Sequence, residues 1–167
     1  MKSLCLAVLC ILAVMLVAAP AQQTSKHALG GEELNKVVPT EFFYRGMKAP
    51  VQLRNAVGFQ LADSKMTLAA LVDASGYSTA IQQKYQGLLI TESKLHIGSS
   101  TLPPGQYGFG FTSEGKFTVM DVANNDVLSA DFQTDAALQR PVPLKLIEDG
   151  EGYKLYAGRK WISIKPE

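Results

Sequence analysis

From about residue 40 onward, apolar side chains recur at every second position and turn-forming residues break the pattern at short intervals. Val51 and Leu53, with Asn55 behind them, alternate with Gln52 and Arg54, and Phe59 and Leu61 continue the series. That is the pattern of a strand with one buried and one wet face. In Met66 to Val72 both alternating sets are largely apolar, Met66, Leu68, Ala70 and Val72 against Thr67, Ala69 and Leu71, which predicts a central strand covered on both sides. Leu88 to Thr91 and Leu95 to Ile97 read as further strands. Tyr107, Phe109 and Phe111 alternate with Gly108 and Gly110, predicting a strand with one aromatic and one bare face. Close packing against the bare face is favoured over approach of a ligand.

The remaining pattern is a succession of hairpins. Ser113-Glu114-Gly115 joins the aromatic strand to Lys116–Val122, in which Phe117 and Val119 share a face. Asn124-Asn125-Asp126 precedes a strand over Val127–Phe132. Thr134 and Asp135 are placed to cap a short helix running to Leu138, which Pro141 would stop. Strands follow over Leu144–Ile147, Tyr153–Ala157 and Trp161–Ile164, separated by Asp149-Gly150-Glu151-Gly152 and Gly158-Arg159. Residues 78–86 fit a helix through Tyr77, Ile81 and Tyr85, and Ile81 and Tyr85 also fit spacing two; the pattern leaves both open. About eight or nine short strands without a long helical stretch predict an all-β domain, an antiparallel β-sandwich or a small barrel.

The first 21 residues carry a different pattern. Lys2 precedes an apolar run from Leu4 to Val17, and Ala18-Ala19-Pro20-Ala21 closes it with small side chains. The run is shorter than the roughly 20 residues of a permanent span. A signal peptide over residues 1–21 is expected, cut between Ala21 and Gln22, with a secreted or periplasmic product and no permanent membrane span. Residues 22–39 are polar and glycine-containing and read as a flexible stalk, with at most one helical turn over Glu32–Lys36. Residues 40–167 form the single β domain.

Composition then narrows the chemistry. The chain's 2 cysteines, Cys5 and Cys10, both lie in the leader, so the remainder holds no thiol for a disulfide, a thiolate metal site or a nucleophile. Lys and Arg number 16 against 15 Asp and Glu. Removing Lys2 with the leader balances them, which argues against nucleic acid as a partner. No metal or cofactor is expected.

Several local patterns imitate catalytic motifs. Gly110-Phe111-Thr112-Ser113-Glu114-Gly115-Lys116-Phe117 follows the phosphate-loop spacing, but Phe117 stands where a hydroxyl should bind magnesium, and a strand follows where a helix is needed. Ser113 and Lys116 have the S-x-x-K spacing of serine acyl-transferases, yet a hairpin tip does not put them on one helical face. His96 sits alone on the polar side of its strand, and an acid–base or metal role would require Glu92 or Asp73 beside it. The acidic turn Asp149–Gly152 lacks the alternating carboxylates of a calcium loop.

The segment Leu95-His96-Ile97-Gly98 through Leu102-Pro103-Pro104-Gly105-Gln106-Tyr107-Gly108-Phe109 resembles a strand-turn-strand pattern, L-P-x-G-x-Y, of exported bacterial β-domains of unknown function. The resemblance implies a β-sandwich setting, with Gly105 allowing the turn and Tyr107 starting a strand. It implies no activity. Tyr44, Tyr77, Tyr85, Tyr107, Tyr153, Tyr156 and Trp161 supply amphipathic surface suited to binding and equally to a core. The reading is a binding or scaffolding module for an unknown protein or small-molecule ligand, with Tyr77, Tyr85, His96, Tyr107 and Arg159 as candidate ligand-binding residues. Two alternatives stand beside it. A small barrel with an apolar ligand requires a central cavity, and an extracytoplasmic enzyme requires His96, Asp73, Glu92 and Arg159 to converge in one pocket.

Overall fold

The alternating stretches pair into two antiparallel sheets in the computed structural model, which describes residues 26–167. The expected leader, the Ala21–Gln22 cleavage point and the start of the expected stalk lie outside the described residues. The first sheet runs β1 (His27–Ala28), β3 (Met47–Gln60), β4 (Met66–Val72), β5 (Gly87–Thr91), β8 (Gly105–Phe111), β9 (Lys116–Met120) and β10 (Asp126–Asp131), with β2 (Glu41–Tyr44) also on β3. The second runs β12 (Lys145–Asp149), β13 (Gly152–Ala157), β14 (Lys160–Pro166), β6 (Leu95–Ile97) and β7 (Ser100–Leu102), with β11 (Gln133–Thr134) on β14. The sheets do not close into a barrel.

Both faces of the first sheet are covered, as the doubly apolar pattern of β4 requires. On the inner face Ala69, Leu89, Phe109, Phe117 and Val119 pack against Leu95, Ile97, Leu155, Ile162 and Ile164 of the second sheet. On the outer face Leu68, Ala70, Val72, Leu88 and Met120 pack beneath Leu34, Val38, Phe42, Tyr44, Tyr77 and Tyr85. The short helix α1 (Gly31–Val37) belongs to this outer layer. Its first turn is held by Glu33, whose carboxylate accepts the Gly30 N–H at 2.7 Å.

The stalk expectation is therefore corrected for residues 26–39. Lys26 Nζ lies 4.5 Å from the Tyr153 ring centroid, β1 pairs with β3, and Leu34 and Val38 are buried. Polar composition concealed this because a short helix buries only a narrow stripe, here two residues from a mostly exposed segment. Leu34→Ala is expected to cost about 2 kcal/mol or more, as a buried leucine truncation does. A urea midpoint equal to that of the parent protein would restore the stalk.

Five other expectations change. The uncertain stretch 78–86 contains a single helical turn, α2 (Thr79–Gln82), after which the chain runs into β5. No helix follows Thr134: Gln133 and Thr134 pair with Trp161 and Lys160, and Asp135 Oδ1 accepts the Ala137 N–H at 3.1 Å in a local turn. Gly105 opens β8 itself, two residues before Tyr107. The strand total exceeds eight or nine because several pairings, such as β1 and β11, are too short to show any alternation. β3 is also longer than its pattern suggested, because its register with β4 slips between Val51 and Ala56 and breaks the alternation there. Among the described residues no helix is long and apolar enough to cross a membrane.

Candidate functional site

Tyr77 and Tyr85 do come together, and Tyr44 joins them. The Tyr44 and Tyr85 rings stack with centroids 3.9 Å apart, and Tyr77 meets both edge-on at 6.0 and 5.3 Å. The bare face of β8 makes room for this: a Cβ on Gly108 would lie 2.7 Å from Tyr44 and 2.9 Å from Tyr85. The Tyr44 hydroxyl donates to Asn124 Oδ1 at 2.7 Å, and the Tyr77 hydroxyl reaches the carbonyls of Tyr44 and Met47 at 2.9 and 3.1 Å. Burial raises the pKa of all three phenols above the ordinary tyrosine value. All three rings are buried, so the cluster is core and offers a ligand no surface. The buried Tyr85 hydroxyl has no hydrogen-bond partner among the described residues. Tyr85→Phe is accordingly expected to be neutral or to stabilise the domain by about 1 kcal/mol, because it removes a desolvated donor without removing a bond. A clear loss of thermal stability in that variant would show that the hydroxyl has a partner after all.

The other candidates are dispersed. His96 is exposed on β6, where its Nδ1 lies 3.3 Å from Thr101 Oγ1 and its Nε2 lies 3.3 Å from Glu167 Oε2. Its carboxylate neighbour is thus Glu167, while Glu92 accepts the Met66 N–H at 2.7 Å and Asp73 accepts the Ser75 N–H at 3.0 Å. The Ser75 hydrogen bonds hold the Asp73 carboxyl below its usual range. Tyr107 is buried on the inner face, with its hydroxyl donating to the Pro103 carbonyl at 3.0 Å. Arg159 is exposed in the β13–β14 turn, and its carbonyl accepts the Asp135 N–H at 2.8 Å. The convergence that an enzyme built on His96 would need is absent among the described residues. Between the sheets, the space lined by Val57, Phe59, Leu89 and Leu155 is about 10 Å³. That is too small for an apolar ligand, because a single water already needs about 10–15 Å³ on the same measure. Among the described residues no group of three or more His, Asp or Glu is placed to hold a metal.

The outer face of the first sheet is open at one end, and there a polar notch forms. Phe117 and Val119 point inward, so Lys116 and Thr118 of β9 point outward. Cross-strand pairing sets Ser129 beside Thr118, Asp131 beside Lys116, and Gly110 on the other side of Thr118. The chain leaving α2 lies directly on Gly110, because an added Cβ there would overlap the Lys84 carbonyl. The covering layer ends with that contact. Gln83 and Lys84 form one wall, Thr112, Ser113 and Glu114 of the β8–β9 turn close one end, and Thr118 and Ser129 form the ledge between. The enclosed volume is about 260 Å³.

Two ion pairs bracket this ledge. Lys84 Nζ lies 2.8 Å from Asp126 Oδ1, and Lys116 Nζ lies 2.6 Å from Asp131 Oδ1. In each pair the lysine is the more covered partner, with side-chain exposures of 28% and 44% against 60% and 80% for the aspartates. The lysines are therefore held against the wall while the carboxylates reach into solvent.

None of the five candidate residues lines the notch. The sequence signal that touches it is the hairpin tip with its false resemblances to a phosphate loop and an S-x-x-K motif. These residues belong to the notch for a different reason: the β8–β9 turn carries Ser113 and Glu114 across its end, and Lys116 faces outward from β9. No family model, curated protein or solved structure matches this chain.

Proposed function

We propose that the chain is an exported β-module, secreted or periplasmic, that acts by binding a small polar ligand in the notch over Thr118 and Ser129. The notch carries this reading: it is a concave polar surface whose floor, Thr118 and Ser129, stands on paired strands and whose depth comes from a backbone contact on Gly110. Sites held on strands keep their geometry better than sites on loops. Export is supported by the leader pattern of residues 1–21 and by the confinement of cysteine to it.

A thermal-shift screen of the purified protein against soluble polar metabolites tests the binding reading. A ligand at one hundred times its Kd stabilises the folded state by about 2.7 kcal/mol, enough to move the melting temperature by several degrees. Lys84→Met is expected to remove that shift while leaving the unliganded melting temperature nearly unchanged, since an exposed pair contributes about 1 kcal/mol or less. A hit that survives Lys84→Met and Lys116→Met together would place binding elsewhere. Mass analysis of the protein recovered outside the cytoplasm tests export, with Gln22 expected as its first residue.

A further inference from the structure

The notch differs from a simple cationic or anionic site in that its charges are already matched. Lys84 holds Asp126 and Lys116 holds Asp131, both aspartates coming from β10, and Glu114 adds a further carboxylate at the turn. An incoming phosphate or carboxylate can accept from a remaining N–H of either lysine, but there it meets the like charge of the paired aspartate, and it does so facing Glu114. An incoming ammonium meets the converse problem. A neutral ligand bearing hydroxyls meets neither. One hydroxyl of a vicinal pair accepts from the lysine Nζ while its neighbour donates to the aspartate oxygen, so the ion pair stays intact and gains two charge-assisted hydrogen bonds. The short spacing of each Lys–Asp pair, 2.8 and 2.6 Å, suits the close spacing of adjacent hydroxyls on a ring.

The ledge between the two pairs adds to the same chemistry. Thr118 and Ser129 are cross-strand neighbours whose hydroxyls make no hydrogen bond to another described residue, and the same holds for the Gln83 side-chain amide and the Ser113 hydroxyl. Each is a donor and acceptor left to whatever occupies the notch. By contrast, Thr112 is already committed to the Lys116 carbonyl at 3.2 Å. Apart from Ala80 the lining residues are polar, although their hydrocarbon parts leave apolar and polar surface in comparable amounts. A volume of about 260 Å³ lies just below the roughly 300 Å³ at which drug-sized pockets begin and is right for a single ring.

We infer that the notch binds a neutral saccharide through vicinal hydroxyls at Lys84–Asp126, with Lys116, whose partner Asp131 lies outside the notch, at the other end of the ledge and Thr118 and Ser129 beneath the ring. This rests on the notch being the binding site. No aromatic side chain lines it to stack on a sugar, so a single ring is held mainly by hydrogen bonds, and a longer chain gains only what extends past the notch.

Amide chemical-shift mapping of the isotope-labelled protein tests this with named probes: D-glucose, D-mannose, maltotriose, tetrahydropyran-2-methanol, inorganic phosphate and L-glutamate. The expected result is saturable shifts at Lys84, Lys116, Thr118 and Ser129 with at least one of the three sugars and none with tetrahydropyran-2-methanol, which keeps the ring but lacks the diol. Raising the salt concentration should change the sugar Kd less than two-fold. Ser129→Ala combined with Asp126→Asn, both at exposed positions, should weaken it at least ten-fold, while Thr101→Val on β7 should leave it unchanged. A monosaccharide and maltotriose binding equally marks a free sugar as the ligand, and a gain of ten-fold or more for maltotriose marks a glycan chain; both support the inference. Shifts at these residues with phosphate or glutamate but no sugar would overturn the saccharide inference and leave the notch as a binding site. No probe shifting these residues while others respond would overturn both.

Discussion

Gly110→Ala is expected to destabilise the domain by about 3 kcal/mol, the upper range for overpacking, and to abolish whatever the notch binds. The cause is steric. A methyl group on Gly110 would overlap the Lys84 carbonyl, which is backbone and has no rotamer in which to retreat. Relief requires the α2–β5 connection to lift from the sheet, and Tyr85, one residue further on, would lose its place against Gly108 and Tyr44. Lys84 would move with it, so the wall of the notch and the Lys84–Asp126 pair are lost together. Gly115→Ala provides the contrast within the same hairpin: its Cβ meets nothing within 4 Å, and only its φ of +81° opposes substitution. That conformational cost is about 1 kcal/mol. Urea denaturation of the two variants separates the mechanisms, and equal midpoints would show that the Lys84 contact is not tight.

Tyr44→Ala should cost about 3 to 5 kcal/mol, the range for removing a fully buried aromatic side chain. Tyr44 has no exposed surface, stacks on Tyr85, meets Tyr77 edge-on, and ties the β2–β3 hairpin to the β9–β10 turn through Asn124. Truncation leaves a cavity and deprives Asn124 Oδ1 of its donor. Tyr44→Phe keeps the ring and loses only the hydroxyl's hydrogen bond, for an expected cost of about 1 kcal/mol. The difference between the two variants in equilibrium denaturation measures how much of the outer layer's stability is packing. If Tyr44→Ala were as mild as Tyr44→Phe, the outer layer would be dispensable and the first sheet would stand on its inner face alone.

The strands that the sequence discloses best are those whose alternation is complete. β4 is covered on both faces as its two apolar sets imply, and β8 and β9 meet at Ser113–Gly115 as the hairpin pattern requires. The glycine face of β8 is used for packing, as spacing and residue size favoured. Where the sequence misleads, the reason is that burial is decided by partners distant in the chain. Leu34 and Val38 look like parts of a polar stalk until the outer face of β4 is seen to need a cover. Tyr77 and Tyr85 look like binding aromatics until Tyr44, Gly108 and Met120 close around them.

By itself, then, the sequence determined local matters: period-two strands, the turns at Gly115, Gly150 and Gly158, where φ is positive, and a chain without thiols after Cys10. These follow from side-chain alternation, backbone freedom and inventory, each readable over a few residues. Tertiary structure alone decided that two sheets stack without closing, that the outer face of the first carries a second core, and that this cover stops at Gly110. The notch is a product of that last decision. Lys84, Lys116, Thr118, Asp126 and Ser129 have no common spacing, and they meet because strand pairing and one backbone contact bring them to the same uncovered end of a sheet.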